Sequence, residues 1–199
     1  METTRLIIVA VGGQGNLLAS KVLGEAALIE GVDVRMSEIH GMAQRGGVVE
    51  SAIIFGSAQS SIISDGEADV LLGFEPAETL RAINRCSKET KVITNTATLP
   101  PFTVGIGKGP YPEVDEIKQV LKAKTASLVA IDAMTLAREA GSPMSVNIVL
   151  VGALIQTRAL GFSKDSVIEA IRRRIKPAFL DLNLAAFELG YEAAVKGVV

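Results

Sequence analysis

Apolar residues run along the chain in short blocks, and the blocks switch between two periods. "RLIIVAV", residues 5–11, is a nearly unbroken apolar run, the pattern of a strand buried on both faces. Glycines follow at 12, 13 and 15. "NLLASKVLGEAALIE", 16–30, then carries Leu18, Val22, Ala26 and Ile29 at helical spacing, and Gly31 stands where a helix-closing glycine belongs. "VDVRMSE", 32–38, and "GVVESAIIFG", 47–56, predict a second and a third strand. A parallel crossover needs about a dozen residues or more, so the short loop between them allows an antiparallel pair.

The alternation continues to the end of the chain. "ADVLLGFE", 68–75, predicts a fourth strand, and "PAETLRAINRC", 76–86, a helix with Pro76 in its first turn. "KVITNT", 91–96, is a fifth strand; residues 98–112 hold four prolines and three glycines and read as an irregular loop. A helix over 113–124, a strand over 127–133 and a short helix over 133–141 follow. "SVNIVLVGALIQTRALG", 145–161, is a helix apolar all round and therefore central, and 163–175 is an amphipathic one. From Pro177 onward, Leu180, Leu184, Phe187, Tyr191 and Ala194 share one helical face. This order predicts a three-layer α/β/α, Rossmann-like fold with a mostly parallel sheet, carried by one domain spanning residues 1–199.

Composition narrows the function. Hydrophobic residues are 48% of the chain, enough for a sizeable core, and the net charge of -2 gives no reason to expect nucleic acid or a membrane surface. Aromatic residues are 4% with no tryptophan, which weakens any base-stacking surface. A single cysteine, Cys86, excludes an internal disulfide and a cysteine metal cluster; late in its expected helix it reads as a structural thiol. The apolar runs Leu6–Val11 and Ile148–Ile155 are too short to span a bilayer, so a cytoplasmic chain is expected. Arg172, Arg173, Arg174 and Lys176 fall at a helix C-terminus, where cations complement the helix dipole.

Two segments concentrate chemistry. The first is the turn Gly12, Gly13, Gln14, Gly15 between a strand and a helix, the edge of an α/β sheet where ligands bind. The dinucleotide fingerprint is incomplete there: counted from Gly13, Gly15 fits but Leu18 fails, and counted from Gly12, Gln14 fails. No Walker A spacing is present around Lys21. The glycines either make only a tight turn or let a ligand or partner backbone approach. Glu38, near the end of the second strand, is a ribose ligand on the first view of a dinucleotide site and a loop carboxylate on the plainer one. The second segment is "SEIHGMAQRGGVVES", 37–51, with the only histidine, His40. His40 has no second histidine for a zinc site, and serves as a general base, a hydrogen-bonding contact or a solvated side chain. Gln44 and Arg45 are donors for carboxylates or phosphates, and Gly41, Gly46 and Gly47 permit sharp turns or close approach.

"VGGQGNLLASKVLGEAA", "SEIHGMAQRGGVVES", "ADVLLGFEPAETLR", "VITNT" with a proline loop ending in "YP", "NIVLVGAL" and "NLAAFELGY" stand in one order along nearly the whole chain. Together they resemble the gamma-type domain of 2-oxoacid:ferredoxin oxidoreductases, and most of all the beta-subunit branch acting on indolepyruvate and other aryl pyruvates. That resemblance implies one subunit of a machine that decarboxylates a 2-oxoacid to an acyl-CoA, inactive by itself. Thiamine diphosphate and Fe–S clusters then belong to a larger alpha subunit that passes electrons to ferredoxin, with coenzyme A (CoA) as cosubstrate. One cysteine is in keeping with this division. The resemblance assigns cofactor contacts to Gly12, Gly13, Gln14, Gly15, Asn95 and Asn147, and partner or CoA contacts to His40, Gly41, Gln44, Arg45, Gly46 and Gly47. It implies no catalytic residue on this chain; one cysteine and one histidine offer no metal site, and an apolar contact surface left without its partner allows a homodimer. Two alternatives stay open: a stand-alone nucleotide-binding oxidoreductase using the glycine turn and Glu38, and a non-catalytic binding protein of the same fold.

Overall fold

The computed structural model describes residues 3–41, 47–100, 104, 106, 107 and 109–197, with His40 described in its backbone alone. Six strands, β1 (Thr4–Val11), β2 (Val34–His40), β3 (Val48–Phe55), β4 (Ala68–Gly73), β5 (Cys86–Asn95) and β6 (Ser127–Ile131), form one sheet in the order β2-β3-β1-β4-β5-β6. β3 runs antiparallel to both β1 and β2, and β1, β4, β5 and β6 are mutually parallel. The mostly parallel α/β sheet with an antiparallel strand is therefore as expected.

Strand periodicity sorts the core into two halves. Leu6, Ile8, Ile53, Phe55, Val70, Leu72 and Ile93 pack on one face against α1 (Asn16–Ile29), α4 (Ala133–Glu139), α5 (Val146–Gln156), α6 (Lys164–Arg174) and α7 (Leu180–Lys196). Ile7, Val9, Ile54, Leu71 and Val92 meet Ile117 and Leu121 of α3 (Val114–Lys124) and the loop residue Ile63 on the other. α5 is apolar all round because it is buried from Val146 to Ile155. It meets α7 backbone to backbone: a Cβ added at Gly152 would lie 2.1 Å from the Phe187 carbonyl oxygen, and one at Gly190 would lie 1.9 Å from that of Val149. Among the described residues no helix is long and apolar enough to cross a membrane.

Three boundaries differ from expectation. The helix expected over 76–86 stops as α2 (Pro76–Arg81), tightens into a 3₁₀ turn at Ala82–Arg85, and Cys86 opens β5 instead of ending a helix. The Thr90 hydroxyl pulls this corner together, accepting from Ser87 N–H at 2.8 Å and donating to the Ala68 carbonyl. α5 ends at Gln156, short of 161, where the Thr157 hydroxyl caps the Leu154 carbonyl at 2.6 Å and Arg158 turns to φ 55°. Pro177–Phe179 is likewise a 3₁₀ turn ahead of α7.

The chain leaving β1 travels through α1 to β2 on one side of the sheet, and that leaving β4 travels through α2 to β5 on the other. The crevice between their carboxyl ends is the switch point where α/β sheets bind ligands.

Candidate functional site

The glycine turn lies on this crevice. Gly15 is the N-cap of α1 at φ 84°, a left-handed conformation that costs glycine little. A side chain there would also collide with Asn147, whose Nδ2 would be 2.6 Å from an added Cβ. Gly13, at φ 101°, faces open space. α1 has no side-chain cap and no acidic residue in its first turn, so its N-terminal N–H groups and dipole favour an anion.

The second predicted segment reaches the same edge. Val11 pairs with Val48, Gly12 N–H donates to the Gly47 carbonyl at 2.8 Å, and Gly41 N–H donates to that of Val48 at 2.8 Å. His40 lies opposite Val49 in backbone register. Gln44, Arg45 and Gly46 lie outside the described residues; the chain resumes at Gly47, beside the glycine turn. Glu38 is elsewhere: β3 separates β2 from β1, and Glu38 accepts from the Ser51 hydroxyl at 3.3 Å. A ribose-binding carboxylate would need its strand next to β1.

The amides of Gln14, Asn95 and Asn147 face backbone. Gln14 Oε1 accepts from Val11 N–H at 2.8 Å and its Nε2 donates to the Phe74 carbonyl at 3.3 Å. Asn95, buried, donates to that same carbonyl at 3.1 Å and accepts from Ala97 N–H at 3.1 Å and Ala133 N–H at 3.0 Å. Asn147 Nδ2 donates to the Gly15 carbonyl at 3.2 Å, and its Oδ1 accepts from Ile148 N–H at 2.9 Å. These side chains stitch together the ends of β1, β4, β5 and β6 and the start of α5. They shape the crevice, and the uncapped start of α1 adds backbone N–H donors to its rim.

The stitched rim encloses a cleft of about 560 Å³, within the range of small-molecule sites. Gly13, Gly15, Asn95, Leu99, Arg138 and Met144 are among the residues that line it. A second, more apolar groove of about 550 Å³ begins at Gly15 and Met144 and continues to Phe179 and Leu182, with Arg174 and Lys176 at its border. Met144 is 77% exposed and Phe179 57%, so the rim between the cavities is apolar and open.

Sequence reasoning missed Arg138, Leu99, Glu75 and Tyr111. The first two carry no local signal, because neither residue type nor spacing marks a cleft wall. Glu75 carried no ordinary capping signal either, yet it accepts from Glu78 N–H at 3.0 Å as the N-cap of α2. Burial raises the Glu78 carboxyl above the ordinary range, with the Glu75 charge adding to the effect and Arg81 opposing it. The Tyr111 phenol is raised too, first by burial and then by its hydrogen bond to Glu75. Among the described residues no cluster of three histidine, cysteine or acidic side chains could hold a metal ion.

An open, mostly parallel sheet with helices on both faces and a crevice at its switch point defines the class as a doubly wound α/β domain. Its relatives define the rest. The family model of pyruvate ferredoxin/flavodoxin oxidoreductase matches residues 5–193, so the chain belongs to that family. It is 41% identical over 191 residues to the indolepyruvate oxidoreductase subunit IorB of Methanothermobacter thermautotrophicus, covering 96% of this chain and 97% of that one. It is 42% identical over 196 residues to the IorB subunit of Thermococcus kodakarensis, covering 98% and 97%. The gamma subunit of a keto/oxoacid ferredoxin oxidoreductase from Geobacter sulfurreducens superposes with a TM-score of 0.72 at 23% identity, covering 97% of this chain and 99% of that one. A 2-oxoglutarate:ferredoxin oxidoreductase from Magnetococcus marinus, solved with 2-oxoglutarate, coenzyme A and succinyl-CoA bound, superposes with a TM-score of 0.74 at 18% identity. This chain covers 32% of it and 98% of itself in that match. The chain is a small subunit of a multi-subunit 2-oxoacid oxidoreductase, as the resemblance implied.

Proposed function

We propose that this chain assists the oxidative decarboxylation of indolepyruvate and related aryl pyruvates to acyl-CoA, by docking on a larger cytoplasmic subunit that carries thiamine diphosphate and Fe–S clusters. Ferredoxin takes the electrons through that subunit. The glycine turn and the loop 40–47 face the partner and contribute to the CoA site. The observation that carries this reading is their convergence: Gly12 and Gly47 are joined by a 2.8 Å hydrogen bond on the edge where the first N–H donors of α1 have no side-chain cap. Such donors suit the phosphates of CoA or an acidic rim on the partner. The 41% and 42% identities to IorB subunits stand against 28% to a 2-oxoglutarate synthase subunit KorC, which favours the aryl branch. Choice among 2-oxoacids belongs to the thiamine-bearing subunit. Without that partner the exposed apolar rim pairs with a second copy.

An oxygen-free pull-down of the tagged chain from its native host tests this. A stoichiometric large partner containing thiamine diphosphate and Fe–S clusters is the expected result, and a chain recovered alone removes the reading. In the reconstituted complex, His40→Ala and Arg45→Ala weaken assembly or raise the KM for CoA while leaving the fold of the isolated chain intact. Unchanged assembly and kinetics in both variants would take the loop out of the interface.

A further inference from the structure

Glu75 is 1% exposed, an unusual place for a carboxylate whose visible task is to cap a six-residue helix. Ser142, Ser163 and Asp132 cap other helices of the chain with shorter side chains. Glutamate is not among the favoured capping residues, and one acceptor is all that a cap requires. The Glu75 carboxylate does more. Besides Glu78 N–H at 3.0 Å it accepts from Leu99 N–H at 3.2 Å and from the Tyr111 hydroxyl. Tyr111 is fixed in turn, its oxygen accepting from Ala77 N–H at 3.3 Å. Leu99 stands in the wall of the 560 Å³ cleft, which Arg138 of α4 also lines.

We propose that Glu75 is a positioning residue of the cleft: through Leu99 it fixes the cleft wall just beyond β5, while Tyr111, outside the cleft, holds the carboxylate in place. Three features point the same way. The two additional donors come from Leu99 and Tyr111, twelve positions apart in the sequence, so one carboxylate sets the distance between two separate points of the chain. Glu75 follows Phe74, whose carbonyl already receives Gln14 and Asn95, so the wall is referred to the same point as the glycine turn. The extra methylene of glutamate over aspartate provides the reach; capping alone would not use it. The proposal rests on the reading that the cleft takes CoA.

The experiment uses the complex reconstituted with its large subunit, with CoA as the probe. Glu75→Asp keeps the charge and substitutes a better capping residue, but shortens the reach. Tyr111→Phe removes one donor and leaves the ring. Positioning predicts that both variants assemble with a thermal midpoint near the parent's, that the KM for CoA rises about tenfold, and that kcat stays within about twofold. A capping role alone predicts that Glu75→Asp keeps the parental KM, and that result overturns the proposal. Arg138→Ala separates this failure from failure of the CoA reading. If Arg138→Ala raises the KM for CoA and the other two variants do not, the positioning role falls alone. If all three are silent, the cleft is not part of the CoA site and both readings fall together.

Discussion

At the scale of single residues, the constraint on the glycine turn is uneven. Gly15→Ala meets both an unfavourable φ and the Asn147 amide, and should cost about 1–3 kcal/mol in urea unfolding. Gly13→Ala meets only the φ cost and should lose about 1 kcal/mol. Glu78 gives a pH signature. Its folded pKa is raised, so its contribution is fully present below the unfolded value and is lost as pH rises through the folded one. Glu78→Gln should therefore be more stable than the parent at pH 7, with the gain vanishing below about pH 4, in thermal melts across that range. Burial pushes the Cys86 thiol up to about 11. Native protein at pH 8 should react with iodoacetamide far more slowly than unfolded protein, followed by mass. The sequence was least informative at this scale. The resemblance assigned cofactor contacts to Gln14, Asn95 and Asn147, and in the structure their amides bond backbone at the carboxyl edge of the sheet. Whether an amide faces a ligand or a carbonyl depends on partners up to 132 positions away, as with Asn147 and Gly15, and no local pattern records that.

At the scale of elements, the α5–α7 contact is the tightest test of the packing. Gly152→Ala and Gly190→Ala each place a methyl group inside the opposite helix backbone and should destabilise by about 1–3 kcal/mol or more, read by circular dichroism during denaturation. Serine at either position should be no milder, because the obstacle is the Cβ itself. Most strands and helices were legible because their burial is written in period: strands buried on both faces read as apolar runs, and α7 shows its stripe from Leu180 to Ala194. The short link between β2 and β3 correctly suggested the antiparallel pair. The corner at Cys86 was not legible, because a run such as "RAINRC" suits a helix until the Thr90 hydroxyl draws the chain into β5.

At the scale of the whole molecule, strand order decides between nucleotide-binding designs. β3 lies between β1 and β2, which removes Glu38 from reach of the turn. Titration of the isolated chain with NAD should give no heat of binding by calorimetry, and a micromolar complex would revive the stand-alone oxidoreductase. The family and the layered architecture were readable from motif order alone, whereas the cleft was not, since its walls come from segments that only folding brings together. Among the connections that close it, the Phe74 carbonyl stands at the centre, receiving Gln14 from the β1 side and Asn95 from the β5 side. One acceptor shared by two donors makes those positions epistatic. After loss of either amide, the other has less geometry left to defend, so the cost of losing both should fall short of the sum of the separate costs. A lineage drifting away from one would shed the other readily, and the two halves of the sheet edge would then be free to diverge.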